Sequence, residues 1–170
     1  MGDEIIVYRG IWIREEELNY FLSGHPILPN GVESEDELTM LLEQAIQNFG
    51  SLRHAAIHHL TGATGVKPNV PGKPIFTFWT RRKDIALQLL KESYGSYDAT
   101  IPLLLKALVS RGPRVIIASE EGIYGEQIAD GLDYTFEDFA PEDEVFIALP
   151  ISKYEVERVT NLDLDRFDQS

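Results

Sequence analysis

The sequence predicts an α+β fold in one domain that spans residues 1–170. Helical patterns concentrate in the first half of the chain and strand-like patterns in the second, unlike the strand–helix–strand alternation that is typical of parallel sheets. A chain of 170 residues is long enough to bury one complete hydrophobic core. Its hydrophobic content of 44% and charged content of 25% are typical of globular domains, and the sequence has no repeat, linker or low-complexity segment.

The first half of the chain begins with a predicted strand and continues with helices. The apolar run at residues 4–8 (EIIVY) is typical of a short buried strand. Ser34 and Glu37 have the spacing of a capping box, which predicts that a helix starts there, and Gly50 predicts that this helix has ended. The helices predicted in this half cover residues 14–22, about 34–48 and about 52–60.

The second half of the chain predicts strands with one helix among them. That helix covers residues 84–92, because its apolar residues fall on one face. Segments 61–73 and 131–141 are predicted loops, and 124–130 is either a short helix or a loop. The strands predicted after the first one cover residues 74–80, 100–109, 114–119, 144–149 and 154–159.

The composition excludes several kinds of site and partner. The chain has no cysteine, so it has no disulfide, no thiolate metal site and no cysteine nucleophile. The acidic N-terminus is unlike a signal peptide and no apolar run reaches membrane-spanning length, so we expect a cytoplasmic protein without a membrane partner. The net charge of −13 argues against nucleic-acid binding. It suits a basic protein partner or a cationic substrate group, and it also serves solubility alone.

The histidines of the predicted helix at 52–60 do not predict a metal site. His54 and His58 have the i, i+4 spacing of a metal-binding pair, and His59 follows them. No HExxH glutamate and no third ligand accompany the pair. Ordinary helix-surface or partly buried histidines are therefore the preferred interpretation.

Two carboxylates lie at the start of the predicted strand 144–149. Alternate side chains of an extended chain share a face, so we expect Glu142 and Glu144 to point the same way, about 7 Å apart. Burying charge is costly unless the charge is paired or used, which favours a function for these two groups. A solvated strand end is the alternative interpretation.

Two further segments carry groups that suit a ligand. Arg9 is either a salt-bridged edge residue or a guanidinium that grips phosphate or ribose oxygens with its planar fork. Gly10 would then let a ligand lie close to the backbone. In the predicted strand 74–80, the threonine hydroxyls could hold a catalytic carboxylate, and the aromatic rings could stack on a flat ring or fill the core.

These three segments, in this order and at this spread, resemble the Arg … Ser-Thr-Ser … Glu-x-Glu signature of the ADP-ribosyltransferase superfamily. The corresponding motifs here are Tyr8-Arg9-Gly10, then Phe78-Trp79-Thr80 with Ala86 six residues further on, and Glu142-Asp143-Glu144. The resemblance covers nearly the whole chain. It implies a split β-sandwich, in which two packed and mainly antiparallel sheets enclose an NAD cleft, with helices near the N-terminus.

The resemblance also implies NAD+ as the co-substrate and no metal. Residues of the NAD site would be Tyr8, Arg9, Gly10, Thr77, Phe78, Trp79 and Thr80. Arg9 would brace the phosphates or the nicotinamide ribose, and Glu144 would stabilise the positive charge that grows on the sugar as nicotinamide leaves. Glu142 would orient and help to deprotonate the acceptor, which is usually an arginine side chain in members with this motif.

Two further features concern the support of the catalytic glutamate and the recognition of the target. Phe78 replaces the first serine of Ser-Thr-Ser, so the usual hydrogen bond to the catalytic glutamate must come from Thr80, Thr77 or water. The loop at 131–141 corresponds to the family's target-recognition turn. Its candidate target contacts, which could equally pack within the loop, are Tyr134, Phe136 and Phe139.

The sequence is therefore interpreted as a mono-ADP-ribosyltransferase that modifies a protein target at arginine. It would serve as a toxin, effector or phage-type modifier that is delivered into or made inside a target cell, with an immunity or inhibitor protein as a second partner. One alternative is an NAD-hydrolysing or NAD-phosphorolysing toxin. Another is a catalytically inactive acidic binding module on the same fold, which the presence of Phe78 favours.

Overall fold

The computed structural model describes residues 3–29, 31–56, 75–92, 101–120 and 143–160. The strands are β1 (Glu4–Ile13), β2 (Thr77–Thr80), β3 (Ile101–Ser110), β4 (Val115–Ile117), β5 (Glu144–Ile147) and β6 (Tyr154–Arg158). The helices are α1 (Glu15–Leu22), α2 (Glu35–Phe49) and α3 (Lys83–Glu92), and residues 52–56 are also helical. The protein thus has the mixed helix and sheet content that the sequence predicts. The predicted elements at 61–73, 124–130 and 131–141, and the end of the helix at 52–60, lie outside the described residues.

Strand β1 is longer than the sequence predicts, and its length comes from its partner. The apolar run predicts that the strand ends at residue 8, but all ten residues of β1 pair with β3, from Glu4 opposite Ser110 to Ile13 opposite Ile101. Backbone groups of a strand must be hydrogen-bonded once they are buried, so a ten-residue neighbour extends the pairing past Gly10. Strand β2 is shorter than predicted, because pairing with β5 starts at Thr77.

Helix α2 begins and ends where the sequence predicts. The Ser34 side chain accepts a hydrogen bond from the Glu37 backbone N–H at 3.1 Å, and this bond caps the first turn of the helix. The Glu37 carboxylate also accepts from the Glu33 N–H at 3.2 Å, one residue before the N-cap. Gly50 closes the helix with a φ of 88°, a left-handed conformation that glycine adopts without steric cost.

The six strands form one antiparallel sheet with the order β4-β5-β2-β1-β3-β6. Its two three-stranded halves, β4-β5-β2 and β1-β3-β6, meet between β1 and β2. A single residue pair, Tyr8 opposite Thr80, joins these two strands. The strands therefore make one hydrogen-bonded sheet where two sheets are implied by the resemblance, and the junction between the halves is narrow.

Strand β5 separates two parts of the hydrophobic core. Val145 and Ile147 belong to a cluster with side chains from both halves of the sheet, such as Val115 of β4 and Val7 of β1. Phe146, on the opposite face, belongs to a cluster that α2 contributes to. Because β5 is buried on both faces, its position is strongly determined, and so is the position of the residue that begins it.

Gly10 allows helix α3 to lie directly against β1. A Cβ atom at Gly10 would stand 2.6 Å from the carbonyl oxygen of Ala86 and 2.9 Å from the Cβ of Leu90. The indole N–H of Trp12 donates to the Leu90 carbonyl at 2.6 Å and fixes the same contact. The expectation that Gly10 leaves room for a ligand is therefore incomplete, because the space over its Cα is taken by the helix.

None of the helices in the described ranges is both long and apolar enough to cross a membrane.

The close contact at Gly10 predicts that Gly10→Ala destabilises the protein. The new methyl group meets backbone rather than a flexible side chain, so the cost should be that of overpacking, about 1–3 kcal/mol. In thermal unfolding this corresponds to a midpoint lower by several degrees. Gly112→Ala is the matched control, because nothing lies within 4 Å of the added Cβ there. Equal midpoints for the two variants would contradict this account of Gly10.

Candidate active site

The three motifs lie side by side because three neighbouring strands carry them. Tyr8 of β1 is opposite Thr80 of β2, and Thr80 is opposite Glu144 of β5. Adjacent strands are about 4.8 Å apart, so this row places the backbones of Tyr8 and Glu144 about 10 Å from each other. Sequence positions separated by more than 130 residues are thereby brought to one place in the sheet.

A cavity of about 130 Å³ lies along this row. Its lining consists of Tyr8, Arg9 and Gly10 from β1, Phe78, Trp79 and Thr80 from β2, Ala86 and Leu89 from α3, and Glu144 from β5. The cavity is thus framed by the two halves of the sheet and closed on one side by the helix. Its polar side chains include one cation, one carboxylate and hydroxyls, and its other walls are apolar or aromatic.

Arg9 is the cationic member of the cavity lining. Burial of its guanidinium lowers its pKa from the ordinary value, although an arginine stays protonated at neutral pH. No carboxylate within the described ranges lies at ion-pair distance from Arg9, and no side-chain hydrogen bond to it is found there. The residue keeps partial exposure, so its guanidinium is only partly removed from water, and no carboxylate of the described residues offsets the cost of that desolvation. The group is therefore suited to receive an anion.

Thr80 lies between Tyr8 and Glu144 in the row and is held rigidly. Its side chain is buried, with 3% of the residue exposed, and its hydroxyl oxygen accepts the Arg82 backbone N–H at 3.1 Å. This bond closes the turn from β2 into α3. The rotamer of Thr80 is therefore set by the backbone and by packing.

Phe78 lies on the same face of the sheet as Thr80, two residues away. Its ring meets Phe146 edge-on, with centroids 5.3 Å apart and planes at 85°. Phe78 nevertheless keeps 36% of its surface exposed, unlike a core phenylalanine. It supplies an aromatic wall where the family signature has a serine hydroxyl.

Thr77 does not line this cavity, in contrast to the expectation from sequence. Its hydroxyl oxygen accepts the Trp79 indole N–H at 2.7 Å and lies 3.4 Å from the carbonyl oxygen of Ile147, to which it donates. Thr77 and Trp79 share the other face of β2, where both are buried. Thr77 therefore satisfies the indole of a core tryptophan and is not available to Glu144.

The extended backbone assumed for the Glu-x-Glu motif is interrupted at its middle residue. Asp143 has a φ of 46°, the only positive value at a non-glycine residue in the described segments. Regular strand alternation therefore does not extend through Asp143, and because Glu142 lies outside the described residues, the shared face of Glu142 and Glu144 stays a prediction. Strand β5 begins only at Glu144.

An ion-pair network next to the cavity was not anticipated from the sequence. Arg81 binds Asp143 through Nε and Nη2 at 2.8–3.1 Å, and its Nη1 donates to Glu120 at 3.2 Å. Arg111 donates two further hydrogen bonds to Glu120. The Asp143 contact raises the pKa of Arg81. The sequence shows only that charged residues flank the motifs. The pairing of the strands is what brings Arg81, Asp143 and Glu120 together.

Several candidate residues cannot be placed. Glu142, the loop residues Tyr134, Phe136 and Phe139, and His58 and His59 lie outside the described residues. His54 lies in the helical stretch at 52–56, where its backbone N–H donates to the Ser51 hydroxyl at 3.0 Å. In the part of the chain that the structure describes, no three or more histidine, aspartate or glutamate side chains form a group that could hold a metal ion.

No protein-family model, no curated protein and no solved structure matches this chain. The resemblance to the ADP-ribosyltransferase superfamily therefore depends on three short motifs and on the geometry that brings them together. That geometry is independent of the motif comparison, since the strand register follows from the fold of this chain alone.

The desolvated charge of Arg9 predicts that Arg9→Met raises stability. Methionine keeps much of the apolar stem and removes a partly buried cation, so the gain should be roughly 1 kcal/mol or less in denaturant unfolding. The control is Arg158→Met, at an exposed position on β6, which should change stability little. A loss of stability in Arg9→Met would mean that an internal anionic partner balances Arg9.

Proposed function

We propose that this protein is an NAD-dependent mono-ADP-ribosyltransferase that modifies a protein target at arginine. The observation that supports this most strongly is the row formed by Tyr8, Thr80 and Glu144, which gathers the three signature motifs at one cavity. Under this proposal the two halves of the sheet correspond to the two sheets of the family's split β-sandwich. Their junction, a single residue pair, is where the cleft opens.

The charge of Arg9 fits the phosphates of NAD. A dinucleotide brings a pyrophosphate, and the partly buried guanidinium has no carboxylate partner in the described ranges to compete with it. Arginine holds phosphate oxygens in a bidentate way that a lysine does not reproduce. The free protein already bears the desolvation cost of Arg9. Binding of an anion would offset this cost, and this would make binding more favourable.

The size of the cavity fits the nicotinamide ring and not the whole dinucleotide. At about 130 Å³ it is similar to an apolar cavity of about 150 Å³ that accommodates benzene. Phe78 and Leu89 provide apolar surface for the faces of such a ring, and the carboxylate of Glu144 lies at the cavity wall. The adenosine part would extend beyond this cavity.

Glu144 is the proposed catalytic carboxylate. NAD supplies an N-glycosidic bond whose cleavage releases nicotinamide and places growing positive charge on the ribose. A carboxylate held at a fixed position stabilises that charge without reorganisation. Pairing with Thr80 on one side, and on the other a hydrogen bond from the N–H of Ala118, the residue after β4, to the Glu144 carbonyl at 3.0 Å, hold the backbone of Glu144 in place.

The acceptor is proposed to be an arginine side chain of a protein. Glu142, two residues before Glu144, would attract the guanidinium and take its proton, as the Glu-x-Glu motif implies. The net charge of −13 favours approach of a cationic segment. This chemistry suits a toxin, an effector or a phage-type modifier that acts inside a target cell.

The proposal is tested with NAD labelled in its adenylate part and with cell extract as the source of targets. We expect labelled protein, released nicotinamide, and at least a 100-fold loss of both in Glu144→Gln, which removes the charge and keeps the shape. Glu157→Gln, an exposed carboxylate on β6, is the matched control. Glu142→Gln should reduce labelling far more than nicotinamide release.

Three other outcomes have a defined meaning. Nicotinamide release without labelled protein would replace the transferase by an NAD-hydrolysing enzyme. Protection by NAD against thermal unfolding without release would indicate a binding module. Absence of both release and protection in the wild-type protein would refute the proposal.

A further inference from the structure

Two residues next to the cavity lining, Arg81 and Asp143, are bound to each other. Arg81 follows Thr80 and Asp143 precedes Glu144, and Thr80 is opposite Glu144 in the sheet. The Asp143 carboxylate accepts from Arg81 Nε at 2.9 Å and 3.1 Å, and from Nη2 at 2.8 Å. The Arg81 backbone N–H also donates to the Asp143 carbonyl at 3.3 Å. The two chain segments are therefore joined by side chains and backbone at the edge of the cavity.

The backbone of Asp143 needs this support. A φ of 46° is uncommon for a non-glycine residue and is tolerated best by aspartate and asparagine. Such conformations persist where surrounding contacts determine them, and Arg81 supplies the contacts here. The direction in which the chain enters β5 at Glu144 thus depends on the Arg81–Asp143 pair.

The charge of Arg81 is used inside the protein and not offered to a ligand. Asp143 and Glu120 both bind its guanidinium, and its side chain is 28% exposed against 20% for Asp143. Arg81 is also not among the residues that line the cavity. This separates it from Arg9, whose guanidinium has no carboxylate at ion-pair distance in the described segments.

We propose that Arg81 and Asp143 are positioning residues that hold the Glu144 carboxylate in its reactive orientation. The inference rests on the proposed function of Glu144 and adds a device that the three signature motifs do not contain. A bidentate guanidinium–carboxylate pair restricts both distance and angle, which a single hydrogen bond does not. An error of about 1 Å in the placement of a catalytic group is enough to lower a rate about 100-fold.

The experiment compares Asp143→Gly with Arg81→Lys under saturating NAD. Glycine accepts the positive φ without strain, so Asp143→Gly removes the carboxylate and leaves the backbone conformation accessible. Arg81→Lys keeps the charge and removes the bidentate fork. We expect kcat to fall about 10- to 100-fold in each variant, with less than a 3-fold change in KM for NAD. Their double variant should be no worse than the poorer single variant, because both act through one contact.

Arg111→Ala is the matched control. It removes an arginine of the same network whose side chain binds Glu120 and leaves the contact between Arg81 and Asp143 intact. Its kcat should remain within a factor of two of the wild type. A merely stabilising network would instead make all three substitutions similar in activity after correction for the folded fraction.

Amide hydrogen exchange provides a measurement that does not require activity. The Ala118 N–H donates to the Glu144 carbonyl, so its protection reports how firmly the start of β5 is held. In Asp143→Gly we expect Ala118 to exchange at least about 10-fold faster. The Ala148 N–H, which donates to the Arg114 carbonyl at the other end of β5, should be unchanged and serves as the internal reference.

The two measurements distinguish failure of this inference from failure of the proposed function. Wild-type protein that neither consumes nor transfers NAD, with faster Ala118 exchange in Asp143→Gly, would reject the transferase and keep the positioning role. Active wild-type protein with unchanged kcat in Asp143→Gly would reject the positioning role and keep the transferase. A lower kcat in Asp143→Gly without faster exchange of the Ala118 amide would also reject the positioning role, because Asp143 would then not act by holding the start of β5.

Discussion

The pairing of Tyr8 with Thr80 and of Thr80 with Glu144 is the contact on which the whole site depends. It is the point where the two halves of the sheet meet, and it is only one residue pair wide between β1 and β2. A broad junction would close the sheet over this position and leave no cavity. A missing junction would separate Arg9 from Glu144. The narrow junction allows the partly buried Arg9 and the acidic residue Glu144 to line one cavity of about 130 Å³.

Two arginines near the site illustrate how the same side chain serves opposite purposes. Arg81 binds both Asp143 and Glu120, which raises its pKa and holds Asp143 directly before β5. Arg9 is partly buried without a carboxylate partner among the described residues, and this desolvation lowers its pKa. The first arrangement stabilises a conformation, and the second stores an unsatisfied charge that an anionic ligand can satisfy. The surrounding elements, and not residue type, decide between the two.

The support around the cavity comes from elements with other structural duties. Helix α3 approaches β1 because position 10 has no side chain, and the same approach places Ala86 and Leu89 at the cavity wall. Phe78 packs edge-on against Phe146 in the core and presents its remaining surface to the cavity. Thr77 satisfies the Trp79 indole on the opposite face of the strand. Along β2, Phe78 and Thr80 line the cavity, Thr77 serves the core, and Trp79 contributes to both.

The sequence by itself determined the α+β class, the order of the elements, the ends of α2 at Ser34 and Gly50, and the three motifs that meet at the site. These features are local, because periodicity, capping residues and short motifs act over a few positions. Only the tertiary structure decided that β1 continues to Ile13, that Gly10 accommodates a helix, that Thr77 faces away from the cavity, and that Asp143 breaks the extended chain before Glu144. Each of these depends on a partner far away in the chain, as Asp143 depends on Arg81, and strand register and helix docking cannot be read from neighbouring residues.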